Sequence, residues 1–385
     1  MYDVRRIDRI TALGASAWNA LLASRHPFLQ HGFLAALEAS ASAAPEHGWQ
    51  PAHLLLYDEQ ETLAAAAPLY SKSHSFGEFV FDFAWANAYR QLGLNYYPKL
   101  LNAVPFTPVV GPRLLARDAP ARAALARQLA ALADGRKHSS LHSLFAGAED
   151  RQALAQAGAS LRRDCHYRWY NRGYRDFNDF LAALTAKRRK NIRRERRRMH
   201  EAGVHVEVRS PHELTTALQK TLYAFYARTY AVRGQTPYLT PAFFAELHSR
   251  MPDQVLYFIA MHHAQPVGMA FMLVDDTTLY GRHWGCAEDY HSLHFETCYY
   301  AGIEYCIRHG LCCFDAGAQG EHKLHRGFEP VATWSAHVMA EPQLAAAVAD
   351  FNSREAALMA DYQAQQSTHT SFSATQGAAP APRTP

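Results

Sequence analysis

The chain has 385 residues, 49% of them apolar, and a formal charge of only +4. The length points to two domains with a core each, and the weak net charge excludes a generally polyanion-coating protein. No run approaches the roughly 20 apolar residues of a membrane span, and the charged opening MYDVRRIDRI lacks the apolar centre of a secretion signal.

Six cysteines (Cys165, Cys286, Cys298, Cys306, Cys312, Cys313) show no CxxC spacing, which fits reduced thiols in a cytoplasmic protein. His283, His291 and His294 come close together, but without the paired spacing of a metal site, so no metal is expected. P-loop, GxGxxG, GxSxG and HExxH motifs are all absent.

In chain order, short helices are expected at Trp18 to Ala23 and Phe33 to Ala41. Strands follow at Ala52 to Tyr57 and Thr62 to Tyr70, joined by the turn Asp58 to Glu61. Glu78 to Phe83 reads as a third, aromatic strand, Trp85 to Leu92 as a helix and Leu100 to Val104 as a strand. The prolines of PFTPVVGPRLL mark an irregular crossover. Next come a helix at Ala121 to Ala133, a strand at Ser140 to Phe145, a helix at Asp150 to Ala157 and a strand at Cys165 to Tyr170.

The second half opens on a basic helix. Phe177, Leu181, Leu184, Arg188, Ile192, Glu195 and Met199 follow at steps of three or four and share one face up to a stop at Gly203. A strand is expected at Val204 to Val208, helices at Leu214 to Tyr230 and Pro241 to Arg250, and strands at Val255 to His262, Pro266 to Val274 and Thr278 to Trp284. A long helix, Phe295 to Arg308, stops at Gly310, and strands follow at Cys312 to Asp315 and Val331 to Val338. Beyond about Ala340 a short helix leads into a low-complexity tail expected to be disordered. These readings divide the chain into 1–172, 173–345 and a tail, 346–385. HLLLYDEQETLAAAAPLY and LYFIAMHHAQPVGMAFML are both strand, polar turn, strand, which points to duplication of one α/β unit.

Charge is concentrated in one place. Lys187 to Glu201 holds nine basic and two acidic residues, a local +7, which leaves −3 for the rest. Such a field suits a polyanion, although a solvated helix face has the same composition. Arg188 and Glu195 fall on the apolar stripe, where each needs a partner or a cleft. Arg188, Asn191 and Arg193 are the residues expected to meet an anionic ligand, since the planar guanidinium holds phosphate or carboxylate with two hydrogen bonds.

Candidates for acid–base work are Glu78, Asp82, His283, Glu296 and Glu321. Glu78 and Asp82 lie four apart in an aromatic stretch, with Trp85 and Tyr89 beside them as a substrate wall or as ordinary core. His283 sits opposite Arg282 in YGRHWGC, where the flanking glycines would admit a ligand to the backbone. Glu296 opens a helix, where the dipole alone explains a carboxylate. In DAGAQGEHKLHRGFEP, after a central strand, Lys323 and Arg326 are placed to bind an anionic substrate group and Gly327 to make a tight turn.

The element order of the second half, with KRRKNIR at its start, resembles the GNAT acyltransferase fold and its FemAB-like branch. The stretch from PLYSKSHSFGEF to VVGPRLL resembles bacterial N-acyltransferases labelled as peptidoglycan biosynthesis or recognition proteins. The resemblance covers roughly residues 25 to 345. It implies an α/β fold of mixed sheets in two tandem GNAT-like domains, and transfer of an acyl or aminoacyl group to an amine, with a cell-wall precursor among the acceptors. It places Lys323, Gly327 and Phe328 beside the site. The glycine-rich pyrophosphate motif of acetyl-CoA enzymes has no counterpart in CAEDYHSLHFE. The resemblance leaves acyl-CoA or aminoacyl-tRNA open as the expected co-substrate, with no tightly bound cofactor. A non-catalytic module for nucleic acid or cell-wall precursors is the rival reading.

Overall fold

A computed structural model describes residues 2–288, 292–318, 320–369 and 371–373. The chain forms two compact units. Unit 1 takes residues up to Cys165 with Tyr238–Glu246 and Ala332–Tyr362, and unit 2 takes His166–Pro237, Leu247–Val331 and the chain from Gln363. The first break falls a few residues before the expected position 172, and two later segments return to unit 1.

Unit 1 is built on a long antiparallel hairpin that breaks in the middle. Its outer halves, His53–Tyr57 and Leu63–Ala67, join Asp3–Ile7 and Leu115–Ala116 in a four-stranded sheet. Beyond Ala52 and Pro68 its inner halves, Trp49–Pro51 and Tyr70–Lys72, pair in another sheet. Proline cannot donate to a ladder, so a break at Pro68 is expected. Tyr70–Lys72 runs antiparallel to Lys99–Asn102, which runs parallel to Ser140–Ser143, which runs antiparallel to the end of Glu329–Met339. A parallel pair needs a crossover, supplied here by the helix Ala119–Ala131. Leu125, Ala126 and Leu129 of that helix pack on Leu54, Leu56, Leu100 and Leu141.

Unit 2 repeats the order. Val204–Arg209, Val255–His262, Gln265–Val274 and Thr278–Cys286 are antiparallel neighbours. Thr278–Cys286 runs parallel to Cys313–Asp315, which runs antiparallel to the end of Ser160–Tyr170. The crossover is the helical stretch from Leu293 to His309, whose Glu296–Tyr300 turn is π-helical. Phe258, Met272, Leu279, Tyr300, Ile303 and Phe314 form its core. The weak internal echo in the sequence thus corresponds to a shared strand order.

Three expectations are corrected. Glu78 to Phe83 is not a strand: Phe79 has φ +62°, and Phe83 already begins the helix Phe83–Gln91. The basic helix is two helices, Phe177–Ala183 and Ala186–Glu201, because Leu184 is extended and bridges to Phe372. The last helix is long, Pro342–Thr368, and Ser371 beyond it is buried. The end of the expected disordered tail, 374–385, lies outside the described residues. No helix among the described residues is long and apolar enough to cross a membrane.

Candidate active site

Thr278–Cys286 and Cys313–Asp315 are the parallel neighbours of unit 2, and their register stops at Tyr280 opposite Asp315. The first strand continues to Cys286, while the second ends in a loop. The loop after Asp315 therefore starts at the carboxyl end of the parallel pair, the side on which ligands usually bind in α/β sheets.

Buried polar groups gather there. Asp315 is buried and pairs with Arg168 at 3.1 Å, while its other oxygen accepts from the Gly317 N–H at 3.1 Å. Burial pushes the Asp315 carboxyl up, but Arg168, His166, the Gly317 N–H and Lys323 together hold it below its usual range. Lys323, from the short helix Glu321–Arg326, is 1% exposed, and its Nζ donates to the Gly317 carbonyl at 2.5 Å. Burial lowers its ammonium to about 8, against the pull of Asp315. Arg282 falls to about 10 for the same reason, again opposed by Asp315. Gly327 ends the short helix at φ +82°, with Phe180 filling the space a Cβ would need. Phe328 is buried in the core.

The basic helix meets this loop on one flank. Glu195 takes Arg326 at 3.0 Å and the Tyr300 hydroxyl, so the partner expected for a carboxylate on the apolar face is present. The Arg326 guanidinium lies 3.5 Å over Phe295. Arg326 is therefore held by protein groups. Arg188 is half-buried and makes no ion pair among the described residues; burial first and then Arg188 lower the proton affinity of His325. Asn191 accepts a 3.4 Å bond from Arg194, and Arg193 is exposed. The sequence reading missed Arg196. It lies on Phe177 and pairs with Glu296 at 3.0 Å and Glu304 at 2.8 Å. Glu296, raised by burial against the pull of Arg196, is an ion-pair partner in this arrangement.

Gly285 beside His283 serves packing. A Cβ on Gly285 would collide with the backbone of Phe225 in the helix Thr216–Ala231, and Thr229 of the same helix donates to the Trp284 carbonyl at 2.7 Å. His283 is half-buried against Tyr226 and Phe271, and burial and Arg282 hold its proton affinity well below normal. Glu321 is exposed. Of the three clustered histidines, His291 lies outside the described residues, as does part of CAEDYHSLHFE.

Unit 1 holds a second polar cluster. Lys99 Nζ donates to Glu78 at 2.8 Å, to Ser75 at 2.8 Å and to Asp82. Tyr96 donates to Asp82 at 2.6 Å and lies 3.0 Å from His142, which reaches His337 at 2.8 Å. Burial raises Glu78 to about 7, opposed by Lys99. Asp82 is also pushed up by burial, but Lys99, Ser75 and Tyr96 together hold it below its usual range. The sequence paired Glu78 with Asp82 but gave no hint of Lys99, the cation between them. Trp85 and Tyr89 belong to the core with Tyr96 and Leu344; Trp85 stacks on His142 and the Tyr89 hydroxyl binds the Ser139 carbonyl.

The carboxyl end of unit 1's parallel pair is closed. Arg113, 1% exposed, donates to the carbonyls of Leu144, Val109 and Pro112, and Asn102 binds those of Pro68 and Arg113.

The profile of the FemAB-like family, described as peptidoglycan biosynthesis/recognition, matches residues 9–374. No curated protein matches the sequence. Among solved structures, FemX is similar at TM-score 0.54 and 10% identity, over 88% of this chain and 98% of that one. A C-terminal domain assigned to a lysylphosphatidylglycerol synthetase of Agrobacterium fabrum gives TM-score 0.52 at 9% identity, over 88% and 95%. A Bacteroides thetaiotaomicron protein of unknown function gives 0.51 at 13%, over 87% and 100%. At these identities the likeness concerns the fold, which is the mixed α/β, tandem GNAT-like fold expected from the element order.

Proposed function

Because the chain belongs to the FemAB-like family, we propose that it is a transferase that moves an aminoacyl group from a charged tRNA to an amine on a cell-wall precursor. The observation that carries this reading is Lys323, a buried lysine whose ammonium burial lowers to about 8, at the carboxyl end of unit 2's parallel pair. In the reaction the amine nitrogen attacks the ester carbonyl and loses a proton. The carbonyl oxygen takes up negative charge, and the ribose oxygen leaves with a proton. An ammonium at about 8 can donate to the developing oxyanion or pass a proton to the leaving oxygen.

Lys187, Lys190, Arg194 and Arg198 support the choice of donor. They are exposed, share one helical face and offer a track for RNA phosphates. The missing glycine-rich motif argues in the same direction. A thermal-shift titration tests the donor: a non-hydrolysable aminoacyl-RNA stem should raise the melting temperature saturably, and CoA thioesters from acetyl to long-chain should not. A saturable rise with a thioester alone would overturn the tRNA donor and assign an acyl-CoA.

One observation favours recognition without chemistry: both acids of unit 1 are tied up in ion pairs with Lys99. On that reading, Lys323 variants bind the precursor and lose nothing.

A further inference from the structure

The helix Ala186–Glu201 has a third face. Its buried side holds Ile192 and Met199, and its outer side holds the track just described. Arg193, Arg196, Arg197 and His200 point another way, into a cleft of about 530 Å³. The other walls are the edge strand Val204–Arg209 and the helix Ala301–His309 with the π-turn before it. All of it lies in unit 2.

The cleft combines two chemistries. Its floor is apolar, made by Met199, Val204, Val206 and Val208 with Leu181. Its rim carries four arginines against two glutamates, Glu296 and Glu304. Arg196 satisfies both acids and stacks on Phe177, so it forms the wall. Arg193 makes no hydrogen bond or ion pair among the described residues. Arg197 and Arg308 hold only long contacts, 3.6 Å to Glu201 and 3.9 Å to Glu304. Exposed pairs of that length contribute little. The cleft therefore presents three available guanidinium groups above an apolar floor.

We propose that this cleft binds an organic phosphate, with the phosphate held by Arg193, Arg197 and Arg308 and an adjoining apolar group on the valine floor. Guanidinium forks match phosphate oxygens. A volume of this size holds a small ligand, not a polymer. The helix stretch from Leu293 to His309 presents Glu296, Glu304 and Arg308 to the cleft and sends Phe295 and Tyr299 toward the loop of Lys323. The two places are thus on different faces of one helix.

Isothermal titration calorimetry tests this with no donor or acceptor present, so its result is independent of transfer. The probes are inorganic phosphate, adenosine monophosphate and monomeric dihexanoyl phosphatidic acid. At least one organic phosphate should bind tenfold or more tightly than inorganic phosphate and weaken as salt rises. The tighter of the two identifies the source as nucleotide or lipid headgroup. The double variant Arg193→Ala/Arg308→Ala should lose at least tenfold in affinity without a change in melting temperature, since neither side chain supports the fold. Val206→Asp should also weaken binding. Absence of saturable binding, equal affinity for inorganic phosphate, or unchanged affinity in the double variant would overturn the proposal.

Discussion

Lys323 is an uncomfortable residue for the fold. Burial brings its ammonium from 10.5 to about 8. At roughly 1.4 kcal/mol per unit, this costs about 3 kcal/mol of stability wherever the group is charged in both folded and unfolded chains. The cost is full below about pH 8. Between 8 and 10.5 the unfolded chain holds the proton and the folded chain does not, so the cost shrinks as pH rises. Lys323→Met should therefore be more stable than the wild type at pH 7 by up to about 3 kcal/mol, less the lost bond to Gly317, and the gap should close toward pH 10. Denaturant unfolding at several pH values checks this. A variant less stable than the wild type at every pH would show that the ammonium is not held in a dry site. Gain of stability on removal is the usual mark of a side chain kept for function.

The basic helix illustrates how far sequence reaches at the scale of an element. Its periodicity placed Glu195 on the buried face, and the structure supplies Arg326 and Tyr300 as partners. It did not show that Leu184 leaves the helix, because a leucine in phase fits either a continuous helix or an extended bridge to Phe372. Nor did it single out Arg196 among the other arginines, since its partners Glu296 and Glu304 lie about a hundred residues away. The difference is measurable. Arg196→Ala leaves Glu296 buried and unpaired and should cost about 2 kcal/mol, discounted because the guanidinium is partly exposed. Arg194→Ala should cost less than about 0.5 kcal/mol. Equal melting temperatures for the two variants would contradict the clamp. The same limit applies to Glu78 and Asp82. Their spacing was visible, but the left-handed Phe79 and the distant Lys99 that gather them on one cation were not.

At the scale of the whole molecule, each unit carries one order of strands, antiparallel, parallel, antiparallel, with a helix crossing over the parallel pair. Apart from Glu78 to Phe83, the strand and helix types were legible in order because apolar periodicity marks them. What the sequence hid is that the two parallel ends differ. In unit 1 Arg113 and Asn102 tie the end of the pair to backbone carbonyls with hydrogen bonds. In unit 2 the pairing ends at Tyr280 and Asp315, and the buried Lys323 reaches the Gly317 carbonyl just beyond it. The function proposed here puts the chemistry in unit 2, at Lys323. The most direct test is transfer of a labelled aminoacyl group from charged tRNA to an amine-bearing cell-wall precursor, followed for the wild type and for Lys323→Met. The account predicts time-dependent transfer by the wild type and loss of at least a hundredfold in the variant, with its fold intact. Transfer by Lys323→Met at the wild-type rate, or none by the wild type with any amino acid, would contradict it.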